Sequence, residues 1–396
     1  MPSTSFLPTQ LPTPSARSDR RVRVLHLIHS ACHGGIESAL LNWVTHFDQE
    51  RFDVRVACFA FDRNREEPFL RASREAGVEV WKVPWSITKP FFKCARAVAE
   101  LVRRHEIDIV HTHGYYADAV GALAARSVAV KTVATVYVWG KYEFKRQLLQ
   151  IMDQVALRFV DKVTAHCEDT ARKTARRGIS GERISVLFAG FPGKRAPLPP
   201  EERQRRRLAA GLSQDDYLLL NVARIDPEKA HDQLLRSFRV IHERCPRARL
   251  WICGVGSARL EEELQQLRER LNLTSSVEFL GFRQDLWSLL DLADIMVHPS
   301  HVEGVPIALC HGMAAELPIV VSDVGGVGEI IKHGQTGWLV PENDEAAFAE
   351  AVVRLIREPA RARELARNAR HFIQTEYSIE AAVERVAHIY DEVLGR

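Results

Sequence analysis

The sequence predicts an α/β protein made of two doubly wound, parallel-sheet domains whose strand ends face one another across a cleft. Three observations carry this. Short, continuous apolar runs rich in Val, Ile and Leu alternate with amphipathic segments along nearly the whole chain, the pattern of parallel strands covered on both faces. The alternation breaks once, at "FPGKRAPLPPEERQRRRLAAGL", where Pro192, Pro197, Pro199 and Pro200 cluster before a charge run, and then resumes. At 396 residues the chain is too long for one ordinary core and suits two.

The elements follow in order. Residues 1–21, rich in Pro, Ser and Thr and without an apolar stretch, read as a disordered tail and not as a secretion signal. Residues 22–195 form the first domain, with strands expected at "VRVLHLIH", "DVRVACFA", "VEVWKVP", "IDIVHTHG", "KTVATVYV", "KVTAHC" and "ISVLFAG". Helices are expected at "ESALLNWVTHF" and "FFKCARAVAELVRRH". The "RQRRR" run reads as a solvated helix start. Residues 196–376 form the second domain, with strands at "DYLLLNVAR", "ARLWICGVG", "VEFLG", "IMVHPS", "PIVVSDVGG" and "GWLVP". A last helix occupies 377–396.

Composition limits the function. A charged fraction of 27% with a net charge of +3 suits a soluble protein and gives no reason to expect nucleic acid as a partner. Seven dispersed cysteines without a C-x-x-C pair fit a reducing cytoplasm, with Cys58, Cys167 and Cys253 read as small core residues. Nothing approaches the length of a membrane span. The stretch "GKYEFKRQLLQIMDQVALRF" combines Lys141, Lys145 and Arg146 with Phe144, Leu148, Leu149 and Met152. It reads either as a helix packed on the sheet or as a basic amphipathic surface for the inner face of an anionic membrane.

Candidate chemistry lies at strand ends, where ligands of doubly wound sheets bind. Gly34 and Gly35 precede a helix whose first amides can receive an anion, or make an ordinary βα turn. His111 and His113 share one face of their strand. No third ligand is near in sequence, so hydrogen bonding of His113 to a substrate hydroxyl is expected over zinc binding. Arg224 and Lys229 read equally as a diphosphate clamp or as two surface cations. Gly254 and Gly256 resemble a dinucleotide loop but lack its acidic partner. The sequence has no D-x-D pair to hold a divalent metal on a diphosphate, so neither a metal site nor a cofactor is expected.

Taken in order, these pieces resemble glycosyltransferase family 4, the retaining enzymes of GT-B fold. The likeness rests on G-G-x-E at Gly34, Gly35 and Glu37, on H-x-H at His111 and His113, and on R-x4-K at Arg224 and Lys229. It extends through "GVGSARLEEEL", "VEFLGF" and "VHPSHVEG". The resemblance implies a nucleotide-sugar donor, a saccharide or lipid-linked hydroxyl acceptor, and a C-terminal helix that returns to the first domain. It implies catalytic roles for His113, Arg224, Lys229 and Glu303. Donor contacts are implied at Gly34, Gly35, Gly254, Gly256, Gly304, Val305, Pro306 and Ile307. Where the family carries a second Glu, eight residues after Glu303, this chain has His311, which can still exchange one hydrogen bond with a ribose hydroxyl. Ala230, Glu316 and Tyr137 also depart from the family's usual residues. Two other functions are open at this point: a glycosyltransferase-like subunit that binds without turnover, and a sugar-nucleotide epimerase.

Overall fold

A computed structural model describes residues 20–29, 35–61, 68–85, 91–140, 144–191, 193 and 198–396. The expected tail lies outside them apart from Arg20 and Arg21, as do Gly34, Lys141, Pro192 and Pro197. The strands are β1 Val22–His29, β2 Phe52–Phe61, β3 Val80–Trp85, β4 Ile109–His113, β5 Lys131–Val136, β6 Lys162–Ala165, β7 Ile184–Val186, β8 Tyr217–Val222, β9 Ala248–Cys253, β10 Val277–Gly281, β11 Ile295–His298, β12 Ile319–Ser322 and β13 Trp338–Val340. The helices are α1 Gly35–His46, α2 Pro68–Glu75, α3 Phe91–Arg104, α4 Tyr115–Val128, α5 Phe144–Leu157, α6 Glu168–Ala175, α7 Pro200–Ala209, α8 His231–Arg244, α9 Ala258–Arg270, α10 Leu286–Leu292, α11 Ile307–Ala314, α12 Val327–Ile330, α13 Glu345–Arg357, α14 Pro359–Glu376 and α15 Ile379–Leu394.

All pairings are parallel, in two sheets ordered β3-β2-β1-β4-β5-β6-β7 and β10-β9-β8-β11-β12-β13. Strand order reverses between β1 and β4, and again between β8 and β11. At such a point neighbouring loops leave in opposite directions and open a crevice at the carboxyl ends. Every residue of β4, β6, β11 and β12 is buried, the polar ones His111, Thr112, His113, Lys162, Thr164, His298 and Ser322 included.

The chain crosses between the sheets twice. At the first crossing Pro199 caps α7 and Pro200 opens it, a position where the missing amide costs nothing. The arginines that follow are not merely solvated: Arg203 and Arg207 grip Asp294 at 2.7 and 2.9 Å and tie α7 to the second sheet. At the second crossing the Phe191 amide donates to the Tyr377 carbonyl and the Ile379 amide to the Phe191 carbonyl, so the two connections brace each other. Beyond it α15, capped by the Ser378 side chain, packs Ile379, Val383, Val386 and Tyr390 against Val22, Trp43, Phe47 and Phe52 of the first domain.

Candidate active site

Glu303 is the centre of the second domain's share of the cleft. It follows β11 in a turn closed by Gly304 and is 6% exposed. Its Oε1 accepts three hydrogen bonds, from Lys229 Nζ at 2.7 Å, His298 Nε2 at 2.8 Å and Ser300 Oγ at 2.8 Å. Its Oε2 has no hydrogen-bond partner among the described residues. Burial pushes this carboxyl upward, but the adjacent Lys229 ammonium and the His298 hydrogen bond outweigh it and bring the pKa down to about 2. Glu303 is therefore a fixed anion with one oxygen committed and one turned outward. Sequence reading missed His298 and Ser300. The signal was their position five and three residues before Glu303 in "HPSHVE", the last strand residue and the loop that follows it.

Lys229 arrives from the loop after β8, which also carries Arg224. The Arg224 side chain is 56% exposed and 3.7 Å from Asp226. Gly254 and Gly256 serve this loop directly. A Cβ on Gly254 would lie 1.8 Å from the Ala223 carbonyl oxygen, and one on Gly256 would lie 2.2 Å from that of Ile225. Their role in the structure is to let the β9 loop lie against the backbone that presents Arg224, so the resemblance to a dinucleotide loop has a packing cause.

The cleft is narrow here. A Cβ on Gly304 would lie 2.3 Å from the Tyr137 carbonyl oxygen in the first domain. Gly35, the first residue of α1, packs against Ile307, the first residue of α11. Two helix N-termini from different domains thus meet beside Glu303, with Val305 and Pro306 buried in the turn between. Helix N-termini carry partial positive charge, so an anion would be favoured in the turn beside Glu303 and Lys229. A further tie joins the domains nearby: both oxygens of Glu329 accept backbone amides at the start of α6, from Glu168 at 2.8 Å and Asp169 at 2.9 Å.

His113 does not face the cleft as expected. It is 2% exposed and both ring nitrogens are engaged, Nε2 with His26 Nδ1 and Nδ1 with the Tyr137 hydroxyl, each at 2.9 Å. The cause is the register of β1 on β4, which sets His26 opposite His111 and stacks three imidazoles beneath the cleft floor. His26 is the third histidine that local spacing could not supply. Together the three form the only cluster of metal-ligand type among the described residues. All six ring nitrogens, however, already have protein partners: His26 and His111 share Tyr390, and His111 also meets Thr135. Burial lowers all three pKa values, His26 to about 3, so the rings are neutral.

Comparison with known proteins identifies the family. Residues 33–192 match the family Glycosyltransferase Family 4, and residues 202–372 match Glycosyl transferases group 1. A putative glycosyltransferase of Bacillus subtilis, EpsD, is 30% identical over 304 residues, covering 74% of this chain and 79% of its own. This chain is a family 4 glycosyltransferase. The UDP-Gal:alpha-D-GlcNAc-diphosphoundecaprenol alpha-1,3-galactosyltransferase of Escherichia coli is 23% identical over 94% of this chain and 98% of its own. The crystal structure of Anabaena HepE with UDP and glucose superimposes with a TM-score of 0.84 at 21% identity, over 94% of this chain and all of that one. The glycosyltransferase therefore has the GT-B fold.

Within that fold His311 stands on α11, eight residues past Glu303. Its Nδ1–H donates to the Ile307 carbonyl at 2.9 Å, and its ring packs edge-on against Phe191 and beside Trp287. Burial lowers its pKa, so the ring is neutral and Nε2 is left as a bare acceptor.

Proposed function

We propose that this glycosyltransferase moves a hexose from a nucleoside-diphosphate sugar to a hydroxyl acceptor with retention of anomeric configuration, without a metal ion or cofactor, in the assembly of a polysaccharide or glycolipid. The observation that carries the proposal is Glu303: one oxygen held by Lys229, His298 and Ser300, the other open beside two converging helix N-termini. An open carboxylate oxygen accepts from sugar hydroxyls, and the helix ends with Arg224 and Lys229 neutralise a diphosphate. Lys229 is shared between the two, which couples sugar position to leaving-group charge.

In this reading the bond from the anomeric carbon to the diphosphate oxygen breaks as the acceptor oxygen bonds to that carbon from the same face. The acceptor proton passes to the departing diphosphate oxygen. The protein contributes orientation and stabilisation of charge on the leaving group. His311 Nε2 is an acceptor for a ribose hydroxyl.

The same reading includes docking on the inner face of a membrane. The side chains of Phe144, Lys145 and Arg146 lie outside the described residues. Leu149 and Met152, expected in the apolar surface, are half-buried. Leu148 is exposed as expected, and the exposed stripe continues from it through Ile151, Val155 and the following Phe159, the spacing of one helix face, with Ile151 57% exposed. No described helix is long and apolar enough to cross a membrane. A surface stripe of this kind suits a lipid-linked acceptor such as the one in the name of the E. coli relative.

The test is a thermal-shift panel of UDP-, GDP- and ADP-sugars, followed by NMR of the product's anomeric centre with and without EDTA. A sugar nucleotide at a hundred times its Kd stabilises by about 2.7 kcal/mol, a clear shift. Stabilisation by none of them removes the donor assignment. An inverted product removes retention, and activity lost in EDTA and restored by metal removes metal independence.

A further inference from the structure

The three buried histidines belong to one unbranched hydrogen-bond chain that begins at Tyr137, whose backbone lies against the Gly304 turn, and ends in the core. From the Tyr137 hydroxyl it runs to His113 Nδ1 at 2.9 Å, then from His113 Nε2 to His26 Nδ1 at 2.9 Å. His26 Nε2 meets the Tyr390 hydroxyl at 3.2 Å, and that hydroxyl meets His111 Nδ1 at 2.7 Å. His111 Nε2 meets Thr135 Oγ1 at 2.7 Å, and Thr135 meets Thr164 Oγ1 at 2.7 Å. Each neutral imidazole has one donor and one acceptor nitrogen, and each hydroxyl donates one proton and accepts up to two. A link that uses a hydroxyl's only proton therefore obliges that hydroxyl to accept at its other link, and the obligation passes along the chain.

The far end sets the direction. Thr164 Oγ1 has one acceptor besides Thr135, the Ala134 carbonyl at 3.4 Å, and a carbonyl can only accept. If Thr164 donates there, it accepts from Thr135, Thr135 accepts from His111 Nε2–H, and His111 Nδ1 accepts from Tyr390. Tyr390 then accepts from His26 Nε2–H, His26 Nδ1 from His113 Nε2–H, and His113 Nδ1 from Tyr137. The opposite polarity makes one protein hydrogen bond fewer, because the Ala134 carbonyl loses its donor and the Tyr137 proton is turned out without a partner among the described residues. Tyr137 is half-buried at the end of β5, and its backbone lies against the Gly304 turn beside Glu303.

Resting on the reading that the cleft binds a sugar nucleotide, we propose that Tyr137 is a specificity-determining residue whose phenolic oxygen is presented to the cleft as a hydrogen-bond acceptor. Its proton is drawn inward by the His113–His26–Tyr390 chain, so it selects a sugar that offers a hydroxyl donor at this point. His113, His26 and Tyr390 are positioning residues. Tyr390 is the link through which the C-terminal helix α15 acts, since its hydroxyl alone joins His26 to His111. Burial, with Glu37 nearby, raises the Tyr137 pKa well above its ordinary value, so the phenol keeps the proton that the chain orients.

The test reads polarity without any ligand. Long-range 1H–15N correlation spectra of the full chain with 15N-histidine, assigned by single-histidine substitution, report which ring nitrogen carries the proton. His26, His111 and His113 are all expected as neutral Nε2–H tautomers that do not titrate between pH 5.5 and 8. Tyr390→Phe removes one hydroxyl with almost no change of shape and leaves the His26 Nε2–H without an acceptor. His26 and His113 should then both switch to Nδ1–H while His111 stays Nε2–H. An Nδ1–H tautomer for any of the three in the parent protein, or no switch in Tyr390→Phe, overturns the proposal even if sugar nucleotides bind.

The functional arm uses the nucleotide sugar that stabilises the protein most in the panel above. Tyr137→Phe and Tyr390→Phe should each lower kcat/KM by roughly three- to tenfold, the size of one neutral hydrogen bond. Both should narrow the discrimination between that sugar and its deoxy analogues. Correct tautomers with unchanged discrimination in Tyr137→Phe would overturn the specificity role while leaving the donor assignment intact. A panel in which no sugar nucleotide binds would remove the specificity role together with the donor assignment, and leave the polarity of the chain to the spectra.

Discussion

Replacing Lys229 by Met tests the site's electrostatics at their most demanding point. Glu303 is held at about 2 against an ordinary 4.5, a difference worth about 3 kcal/mol at 1.36 kcal/mol per unit. The sign follows from the direction. A depressed carboxylate stabilises the fold fully above the unfolded pKa, and that contribution drains away as pH falls from 4.5 through 2. Lys229→Met removes the strongest influence lowering this pKa and leaves burial, which raises it. Breaking a buried pair in this way costs about 3–5 kcal/mol, or roughly 10 °C in the melting temperature of a domain this size. Glu303→Gln in the same chain should recover most of it, because the amide oxygen still accepts from His298 and Ser300 without an unpaired charge. The assay is thermal unfolding by tryptophan fluorescence from pH 3 to 8, for the parent, both single variants and the double variant. A Lys229→Met protein that melts within a degree of the parent at pH 7, or a double variant no more stable than Lys229→Met alone, would refute the reasoning.

Other consequences can be measured in the same preparation. Arg224→Ala should leave the melting temperature unchanged within about a degree, because its pair with Asp226 is long and solvated, yet lower turnover by roughly 10²–10³; equal losses of stability and turnover would contradict it. His311→Glu should tighten donor binding by roughly tenfold, because a carboxylate accepts more strongly than the single bare Nε2, with kcat at saturating donor nearly constant; isothermal titration and initial rates check both. Vesicles containing phosphatidylglycerol should retain the protein at low salt, and Ile151→Glu with Val155→Glu should release it; no binding by the parent protein would end the membrane reading.

The strands were readable because the central ones, β1, β4, β8, β11 and β12, are buried over most of their length, so runs of Val, Ile and Leu mark them even where a His or Thr intervenes. Their ends were not. "ISVLFAG" reads as one strand to Gly190, but β7 stops at Val186, after which the chain leaves the sheet to brace α15. Glu303, Lys229 and the α11 turn were readable from motif order, because the loop after β8 and the loop after β11 meet at a point the sheet topology dictates. His113 was readable as a strand-end residue but not as a buried one. What buries it is His26 from β1, with Tyr390 behind from a helix 279 residues beyond His111, distances at which spacing carries no information.

The return of α15 also bears on how the protein is made. The first domain lacks part of its core until Ile379, Val383, Val386 and Tyr390 arrive, and these leave the ribosome after the whole second domain. At 5–20 residues per second, the gap between Ala189 and Ile379 lasts on the order of 10–40 s. During that interval Trp43, Phe47 and Phe52 have no helix over them and His26 has no Tyr390. The second domain can therefore close its core before the first, the reverse of their order in the gene. A chain stalled or cleaved just short of Tyr390 would carry a finished second domain beside an uncovered first one, the form that quality-control proteases and chaperones are built to find.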